Sequence, residues 1–384
     1  MTKADKEGQR KAPILRFKGF TDDWEQRKLG EIGKVRSCKR IYRNQTSNIG
    51  EIPFYKIGTF GKEADSFISR ELYEEYKEKF SFPQVGDVLI SASGTLGRIV
   101  TYSGENAYFQ DSNIVWLDND NHLALNKYLE IYYQRIHWKA SEGSTIKRLY
   151  NSDIEKTIIS IPKRDEQSKI SEYLKLLNKV IALYEMKKQL LTQLKQGIVN
   201  FLITKNGQNP QLRFSGFNNN WENKSFKKLL NYEQPTKYIV KKADYISQGT
   251  PVLTANKSFI LGYTNENNVY QNIPAIIFDD FTLESKYVDF PFMVKSSAIK
   301  ILTSKNSNLF FIYQLLNNQR FVQEGHSRHY ISVVQKKKIL VPSIQEQNKI
   351  GNLIKQLENN IEQNSDTIAL LKSLKEFLLQ NMFL

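Results

Sequence analysis

The amino-acid sequence predicts an α+β protein in which two globular domains alternate with two long helices, in the order globule, helix, globule, helix. Three observations lead to this fold class. The chain repeats itself, since 13–29 and 210–226 share an Arg-Phe-x-Gly-Phe motif followed by Trp-Glu, 197 positions apart. Two later segments have the apolar spacing that is typical of coiled-coil helices. With 384 residues, the chain is long enough for two domains.

A second repeated motif begins both long helices. The segment 161–170 (IPKRDEQSKI) matches 341–350 (VPSIQEQNKI), 180 positions further on. From there, apolar residues recur at intervals of four and three, which gives a helix one stripe to bury. Because both halves carry this stripe, we expect the two helices to pack on each other antiparallel, by internal pseudo-twofold symmetry; dimerisation with another molecule is the alternative. The predicted spacer-helix packing residues are Ile170, Leu174, Leu177, Ile181, Ile350, Ile354, Leu357 and Ile361.

The interiors of the two halves are more divergent than their frames. Runs of β-branched and aromatic residues predict strands, and apolar faces at helical spacing predict helices between them. Two pairs of runs correspond between the halves, 52–58 with 250–256 and 112–117 with 297–302. The predicted domains are an N-terminal tail (1–12), a first globular domain (13–162), a first helix (163–206), a second globular domain (207–342) and a second helix (343–384).

Composition points to a folded protein with a polyanionic partner. The chain has 55 Lys and Arg against 40 Asp and Glu, a formal charge of +15, which favours binding to phosphates. The abundance of Lys together with Asn and Ile also fits AT-rich coding, so charge alone leaves both interpretations open. One cysteine, no apolar run of about 18 residues and a charged N-terminal segment predict a cytoplasmic protein without a membrane span.

Basic and hydroxyl-rich loops are the candidate contacts with DNA. The segment 27–43 holds seven basic residues and one acidic residue, which suits phosphate contacts. The segments 142–162 and 324–342 both begin with Glu-Gly and continue with hydroxyls and cations, the side chains that usually contact bases and the backbone. The candidate DNA-binding residues are Arg36, Lys39, Arg40, Arg43, Lys56, Ser91, Ser93, Thr95, Arg98, Ser144, Thr145, Lys147, Arg148, Thr254, Asn256, Lys257, Ser327, Arg328, His329 and Tyr330.

The sequence lacks the usual motifs of catalysis. It contains no GxxxxGK[ST] phosphate loop and no Asn/Asp-Pro-Pro-aromatic motif of amino-group methyltransferases. His326 and His329 are three positions apart, but no cysteine or carboxylate cluster nearby completes a metal site. We therefore predict no catalytic residue and no metal ligand in this chain.

Three sets of residues together match a known pattern: the doubled Arg-Phe-x-Gly-Phe…Trp-Glu motif, the strand and loop from Gly86 to Gly97 (GDVLISASGTLG), and the doubled Ile/Val-Pro…Glu-Gln-x-Lys-Ile helix starts. With them the chain resembles the specificity subunits of type I restriction–modification systems. The likeness extends from about residue 13 to residue 384. One departure is that the second half has Phe-Asp-Asp-Phe-Thr (278–282) where the first half has Gly-Thr-Leu-Gly-Arg (94–98), so the two domains should recognise unlike half-sites.

The resemblance implies a non-catalytic subunit with two target recognition domains, each of which recognises one half of a bipartite site in double-stranded DNA. It implies that two modification subunits bind S-adenosylmethionine and methylate adenine at N6, and that two restriction subunits with ATP- and Mg-dependent translocase and nuclease activity can join them. No cofactor is expected in this chain itself. A coiled-coil adaptor that binds only protein, and a recognition fragment of a single-chain restriction–methylation enzyme, are the alternatives.

Overall fold

The computed structural model describes residues 12–138, 148–203, 210–242, 244–256, 258–321 and 328–384. The chain divides into two units, one formed by Met1–Leu183 with Thr367–Leu384 and the other by Tyr184–Asp366. We call them unit 1 and unit 2. Each of the two long helices contributes its first part to one unit and its last part to the other.

Unit 1 contains most of the first half of the sequence. Its longest regular element is a helix that begins just after Pro162, as the sequence predicts. The strands are β1 (Glu25–Lys28), β2 (Gly33–Arg36), β3 (Ile52–Tyr55), β4 (Phe67–Ile68), β5 (Val88–Ser91), β6 (Ile99–Thr101), β7 (Tyr108–Phe109), β8 (Ile114–Asn119) and β9 (Ile158–Ile161), and the helices are α1 (Leu29–Ile32), α2 (Arg70–Lys79), α3 (Asn126–Tyr133), α4 (Asn151–Lys156) and the first part of α5 (Arg164–Leu202).

Unit 2 contains the second half of the sequence. Its interior is also a series of short strands, with one buried helix before the last of them. The strands are β10 (Glu222–Ser225), β11 (Asn231–Glu233), β12 (Thr250–Leu253), β13 (Ile260–Thr264), β14 (Ala275–Asp279), β15 (Ser285–Val288), β16 (Met293–Val294), β17 (Ile299–Thr303) and β18 (Lys338–Val341), and the helices are α6 (Phe226–Leu229), α7 (Leu309–Asn317) and the first part of α8 (Ile344–Asn381).

The two units have the same sheet topology. Unit 1 contains a four-stranded antiparallel sheet in the order β2-β8-β5-β6, and unit 2 contains the sheet β11-β17-β14-β15. A smaller sheet has the order β4-β3-β7 in unit 1 and β13-β12-β16 in unit 2, and in each its central strand has one antiparallel and one parallel neighbour. A two-stranded ladder, β1-β9 or β10-β18, lies at the base of each long helix. The sequence repeat is thus a structural repeat, and β3/β12 and β8/β17 are the pairs that the sequence matched.

The two repeated motifs bind each other within each unit. Arg16 donates two hydrogen bonds to the carboxylate of Glu166, at 2.8 and 2.7 Å. Arg213 donates two to Glu346, at 2.9 and 2.7 Å. Both glutamates are almost fully buried, and a buried carboxylate needs such a partner because its desolvation is costly. These hydrogen bonds also raise the pKa of each guanidinium. The Arg-Phe-x-Gly-Phe segment therefore attaches to the helix that the Glu-Gln motif begins.

The glutamine that follows each buried glutamate fixes a second helix. The side-chain oxygen of Gln167 accepts a hydrogen bond from the backbone N–H of Leu125, at 2.8 Å, just before α3. The side-chain oxygen of Gln347 accepts one from the backbone N–H of Asn308, at 3.0 Å, just before α7. Because these N–H groups lie at helix starts, where intrahelical partners are missing, the glutamines act as caps in trans. Each Glu-Gln pair thus joins the long helix to its own globular domain.

The ends of the two long helices meet in both units. In unit 1, the first turns of α5 share a core cluster with Leu378, near the end of α8, and with Phe383, just after it. In unit 2, Leu202 at the end of α5 and Ile203 just after it share a core cluster with the first turns of α8. Start meets end in each case, so the two helices are antiparallel within the chain. Of the predicted packing residues, Ile361 is half-buried and the others are buried: Ile170, Leu174, Leu177, Ile181, Ile350, Ile354 and Leu357.

Candidate nucleic-acid interface

The turn between β5 and β6 is the centre of the candidate interface in unit 1. Inside it, the hydroxyl of Ser91 donates to the carbonyl of Thr95 at 2.5 Å and accepts from the N–H of Arg98 at 2.8 Å. Gly97 has a φ of +74°, and a Cβ on it would lie 2.1 Å from the indole of Trp138, so no other residue fits there. The turn is therefore fixed from within, and Thr95 is exposed at its tip.

Backbone and side-chain contacts attach Arg148 to this turn. The N–H of Leu149 donates to the carbonyl of Ala92 at 2.8 Å, and Ser93 forms a β-bridge with Arg148. The guanidinium of Arg148 donates to the carbonyl of Ser112 at 3.0 Å. Arg148 and Thr95 thus belong to one surface.

Two further cations flank the same turn. The guanidinium of Arg98 donates to the carbonyl of Phe60 at 2.8 Å, which joins the turn to the loop after β3. Lys56, at the start of that loop, forms an ion pair with Asp65 at 2.8 Å, and their side chains are 41% and 60% exposed. Exposed pairs of this kind are worth little energy, so Lys56 can exchange its partner for a phosphate. The structure therefore brings Lys56, Arg98 and Arg148 together around one hairpin.

The basic segment 27–43 reaches this surface only in part. Arg40 lies 3.7 Å from the carboxylate of Asp111, directly beside Ser112. Arg36 instead pairs with Asp118 at 3.4 Å. The ammonium of Lys39 lies 4.9 Å from the ring of Phe80, beyond the end of α2. Arg43 is exposed in a short 3-10 helix. The segment thus divides between two places in unit 1.

In unit 2, the turn between β14 and β15 has the equivalent place. One carboxylate oxygen of Asp279 accepts from the N–H groups of Phe281 and Thr282, at 2.9 and 3.0 Å, which fixes the turn without glycine. The hydroxyl of Thr282 bonds to the side-chain oxygen of Asn256 at 3.1 Å, and both residues are exposed. Thr254 lies at the base of the same loop, where its N–H donates to Phe259. The β14–β15 turn of unit 2 therefore stands where unit 1 has its β5–β6 turn, and in the strand ladders Phe278 corresponds to Ile90.

Arg328 has the same relation to its turn as Arg148. The N–H of His329 donates to the carbonyl of Asp280 at 3.1 Å, just as the N–H of Leu149 donates to Ala92. Leu149 and His329 are 180 positions apart, the offset of the repeat, and so are Arg148 and Arg328. Arg328 is exposed. Each unit therefore presents one arginine at an equivalent site beside an unlike turn.

Three of the candidate contacts are structural residues, which corrects the prediction for them. Ser91, His329 and Tyr330 are at most 1% exposed, so their side chains cannot reach a DNA surface in this structure. Ser91 holds the β5–β6 turn, and Tyr330 packs against Phe278 and Tyr232. Burial raises the pKa of the Tyr330 hydroxyl well above its usual value. Ser93 is nearly buried and donates to the side chain of Asn113 at 2.9 Å.

Five candidates lie outside the residues that the structure describes: Ser144, Thr145, Lys147, Lys257 and Ser327. Their contacts with DNA stay predictions from the sequence.

The sequence reasoning missed two polar residues that hold these turns. The side chain of Asn113 accepts from Ser93 at the unit 1 turn, and Lys300 pairs with Asp280 at the unit 2 turn. Asp279-Asp280, a paired carboxylate after an apolar run, is predicted from the sequence to form a turn or to accept from a base amino group, and both residues do lie at the turn. Lys300 carried one signal, because a lysine inside an apolar strand is rarely buried unless it is paired.

The described residues present polar recognition chemistry. They contain no group of three or more His, Cys, Asp and Glu side chains that could hold a metal ion. No helix in the described ranges is long and apolar enough to cross a membrane. Cys38 is buried, which raises the pKa of its thiol to about 12. A thiol with so high a pKa is a poor nucleophile at neutral pH.

A family model for the type I restriction modification DNA specificity domain matches this chain twice, at residues 21–196 and 218–373. The chain belongs to this family. Each specificity domain includes one globular half and most of the long helix that follows it. The doubled match coincides with the structural repeat of the two units.

Relatives of this specificity protein include two curated proteins and a crystal structure. The chain is 61% identical over 142 residues to a "Putative type I restriction enzyme specificity subunit S.HindORF215P" of Haemophilus influenzae, and 50% identical over 123 residues to the "Type I restriction enzyme EcoR124I/EcoR124II specificity subunit" of Escherichia coli. The first alignment covers 37% of this chain and 37% of the relative, and the second covers 30% of each. The chain therefore matches about a third of the length of these relatives. The crystal structure of a type I restriction–modification S subunit from M. genitalium has the same fold, with a TM-score of 0.70 over 97% of this chain and 99% of that one, at 15% identity.

Proposed function

We propose that this chain is the sequence-specific DNA-recognition subunit of a type I restriction–modification complex. In this proposal it recognises a bipartite target and directs adenine N6 methylation, and cleavage where restriction subunits join, by its partner subunits. The observation that carries the proposal is the doubled specificity domain, each copy with an arginine at the same place beside an unlike turn, half-buried in the case of Arg148 and exposed in the case of Arg328. Two similar folds with two different turns are what an asymmetric, split DNA site requires.

The proposed DNA surfaces are built in the way that DNA-binding proteins commonly use. Arginine is the side chain that most often contacts guanine, and lysine and arginine also neutralise phosphates. In unit 1, Arg148 lies at the turn while Lys56 and Arg98 flank it. We assign base recognition to Arg148 and Arg328 and phosphate contacts to the flanking cations. The net charge of +15 supports attraction to DNA over a distance.

The target recognition domains of this proposal are 13–162 and 207–342, and the helices between and after them are the spacers. Since α5 has 39 residues and α8 has 38, each is about 55 to 60 Å long at ~1.5 Å per residue. We propose that these helices set the number of unread base pairs between the two half-sites.

Catalysis in this proposal belongs to partner proteins, two modification subunits and, where present, two restriction subunits. Both long helices carry large apolar side chains that are more than half exposed, which marks them for protein contacts. S-adenosylmethionine, ATP and Mg are assigned to the partners. The exposed apolar residues are Leu176, Leu183, Leu370 and Phe377 in unit 1 and Met186, Leu190 and Leu194 in unit 2.

The test is a genome-wide map of N6-methyladenine in the native cell, with and without the gene for this chain. We expect deletion to erase methylation at one split motif, two short halves around a fixed gap, and a plasmid copy of the gene to restore it. If the restored strain and the deletion strain have the same map while the partner subunits are expressed, the proposed function is wrong.

A further inference from the structure

Unit 2 contains a buried ion pair at the turn of its candidate interface. The ammonium of Lys300 lies 3.2 Å from a carboxylate oxygen of Asp280, and the two side chains are 0% and 2% exposed. The same ammonium donates to the side-chain oxygen of Gln234 at 3.1 Å and to the carbonyl of Ser297 at 3.3 Å. A lysine has three hydrogen atoms to donate, so its hydrogen bonds are complete.

Asp280 joins three segments of unit 2. Its second carboxylate oxygen accepts from the N–H of Tyr330 at 2.7 Å, and its carbonyl accepts from the N–H of His329 at 3.1 Å. Lys300 lies on β17, and Asp280 directly follows β14. Asp280 therefore holds the segment that begins with Arg328 against the turn, while Lys300 holds the carboxylate of Asp280.

Unit 1 has apolar residues at both equivalent positions. The N–H of Asp280 donates to Ala298, as the N–H of Ala92 donates to Asn113. In the strand ladders, Lys300 pairs with Phe278, two positions before Asp280. Val115 pairs with Ile90, two positions before Ala92. Ala92 and Val115 are thus the counterparts of Asp280 and Lys300.

The segment after Arg148 is held differently from the segment after Arg328. In unit 1 the N–H of Tyr150 donates to the carboxylate of Asp153 at 3.1 Å, inside the capping box of α4. The residue 180 positions after Asp153 is Val333, which has no carboxylate. In unit 2 the equivalent N–H group, that of Tyr330, donates to the carboxylate of Asp280 at the hairpin turn and not to a residue of a local helix.

The fold itself does not require the ion pair, because unit 1 builds the same topology with Ala92 and Val115. Buried pairs also tend to break even with apolar side chains in stability. We propose that Asp280 and Lys300 are positioning residues that determine how strictly unit 2 discriminates its half-site, by fixing Arg328 against the β14–β15 turn. This inference rests on the proposed function.

The experiment uses the full complex, co-purified from a strain in which the split motif has been mapped. Binding constants are measured for the cognate duplex and for duplexes with either half-site scrambled, which gives one discrimination ratio for each half-site. The variants are Lys300→Met and the double variant Asp280→Ala/Lys300→Val, which installs the residues of unit 1. Arg213→Met is the matched control. It also leaves a buried carboxylate of unit 2, that of Glu346, without its cationic partner, but Glu346 is far from the turn in the sequence.

We expect Lys300→Met and the double variant to lower one discrimination ratio about tenfold and to leave the other unchanged. The double variant Lys300→Met/Arg328→Ala should have the same discrimination ratio as Arg328→Ala alone, because both substitutions act on the same contact. Arg213→Met should lower the melting temperature and change neither ratio. If Lys300→Met and the double variant lower only the melting temperature, or both ratios equally, the inference is wrong. A wild-type complex without a split motif would instead refute the proposed function.

Discussion

Arg148 and Arg328 illustrate how single side chains can differ in function within a repeated fold. Each directly precedes a residue whose backbone N–H donates to a hairpin turn, and the two positions are 180 apart in the sequence. The turns beside them are unlike, one with two glycines of positive φ and one fixed by Asp279. We propose that these equivalent arginines contact DNA beside different neighbours, which would give each half its own base preference.

Replacing Arg148 by alanine tests base contact at this position. We expect binding to the cognate duplex to weaken by roughly 1–3 kcal/mol, with relaxed preference in one half-site only. The measurement is competition binding of the complex to duplexes that differ in a single base pair. Arg36→Ala is the control, because Arg36 pairs with Asp118 away from the turn; we expect it to weaken all duplexes equally. Equal weakening by Arg148→Ala would mean phosphate contact instead.

Cys38 offers a readout of folding, since it is the sole cysteine and lies in a core cluster of unit 1. Burial raises the pKa of its thiol to about 12. The folded state therefore disfavours the thiolate. The contribution of the neutral thiol to the free energy of unfolding is fully present below pH ~9 and is lost as the pH rises towards 12. We expect alkylation at pH 8 to be very slow in the native protein and fast in denaturant. Rapid native labelling, measured by mass spectrometry, would contradict the burial of Cys38.

At the scale of elements, the long helices are joined to their domains by the two repeated motifs. The Arg16–Glu166 and Arg213–Glu346 pairs attach the N-terminal segment of each half to the first turn of α5 or α8. Each helix also ends in a core cluster, so the start and the end of both helices are packed against a domain. A helix fixed at both ends is suited to set a distance.

Lengthening both helices tests whether they set the gap in the target. Seven residues, inserted after Leu183 and after Gln363, would add two turns to each helix at equivalent positions and keep the apolar register. Seven residues extend a helix by about 10.5 Å, or about three base pairs at 3.4 Å each. We expect the methylated motif to keep both halves and to gain about three unread base pairs. Insertion in α5 alone shifts the seam and should reduce methylation; an unchanged gap in the double insertion would contradict the spacer role.

The sequence predicted the elements well and the contacts between them poorly. The repeat offset, the helix starts and the strands β5, β8, β14 and β17 follow from local patterns. The Arg16–Glu166 pair joins residues 150 positions apart in the sequence, and local periodicity does not predict contacts at such a separation. The interface was harder still to predict, because hydroxyl and histidine side chains at strand ends and in loops can turn inward, as Ser91 and His329 do. Burial, which depends on the whole fold, decides whether such a residue contacts a ligand.

At the scale of the molecule, the repeat makes each specificity domain a complete recognition module with its own sheets, core and helix attachment. Among the described residues, the polar contacts of each turn come from the same unit as the turn. We expect such modules to be exchangeable between members of the family, because the frame that holds them recurs while the turns differ.

Replacing 207–342 by the corresponding segment of another family member tests this modularity. We expect one half of the methylated motif to change to the donor's half, and the other half and the gap to stay the same. The reciprocal replacement of 13–162 should change only the other half. Both motifs are obtained from methylation maps of cells that express each chimera with the native partner subunits. A simultaneous change of both halves in either chimera would show that the modules are not independent.

The docking of Phe383 has a consequence for synthesis on the ribosome. Its ring packs against Trp24, Tyr128 and Tyr132 of unit 1, at centroid distances of 5.5 to 6.3 Å. The residues that form this site have all been translated once Tyr132 is added, but Phe383 follows about 250 residues later, which takes on the order of 10 to 50 s at about 5 to 20 residues per second. Throughout that delay the nascent first domain presents an open aromatic site. We therefore expect ribosome-associated chaperones to bind the nascent chain after Tyr132 has emerged and to dissociate once Phe383 has emerged. Ribosome profiling of chaperone-bound nascent chains measures the chain length at which they dissociate.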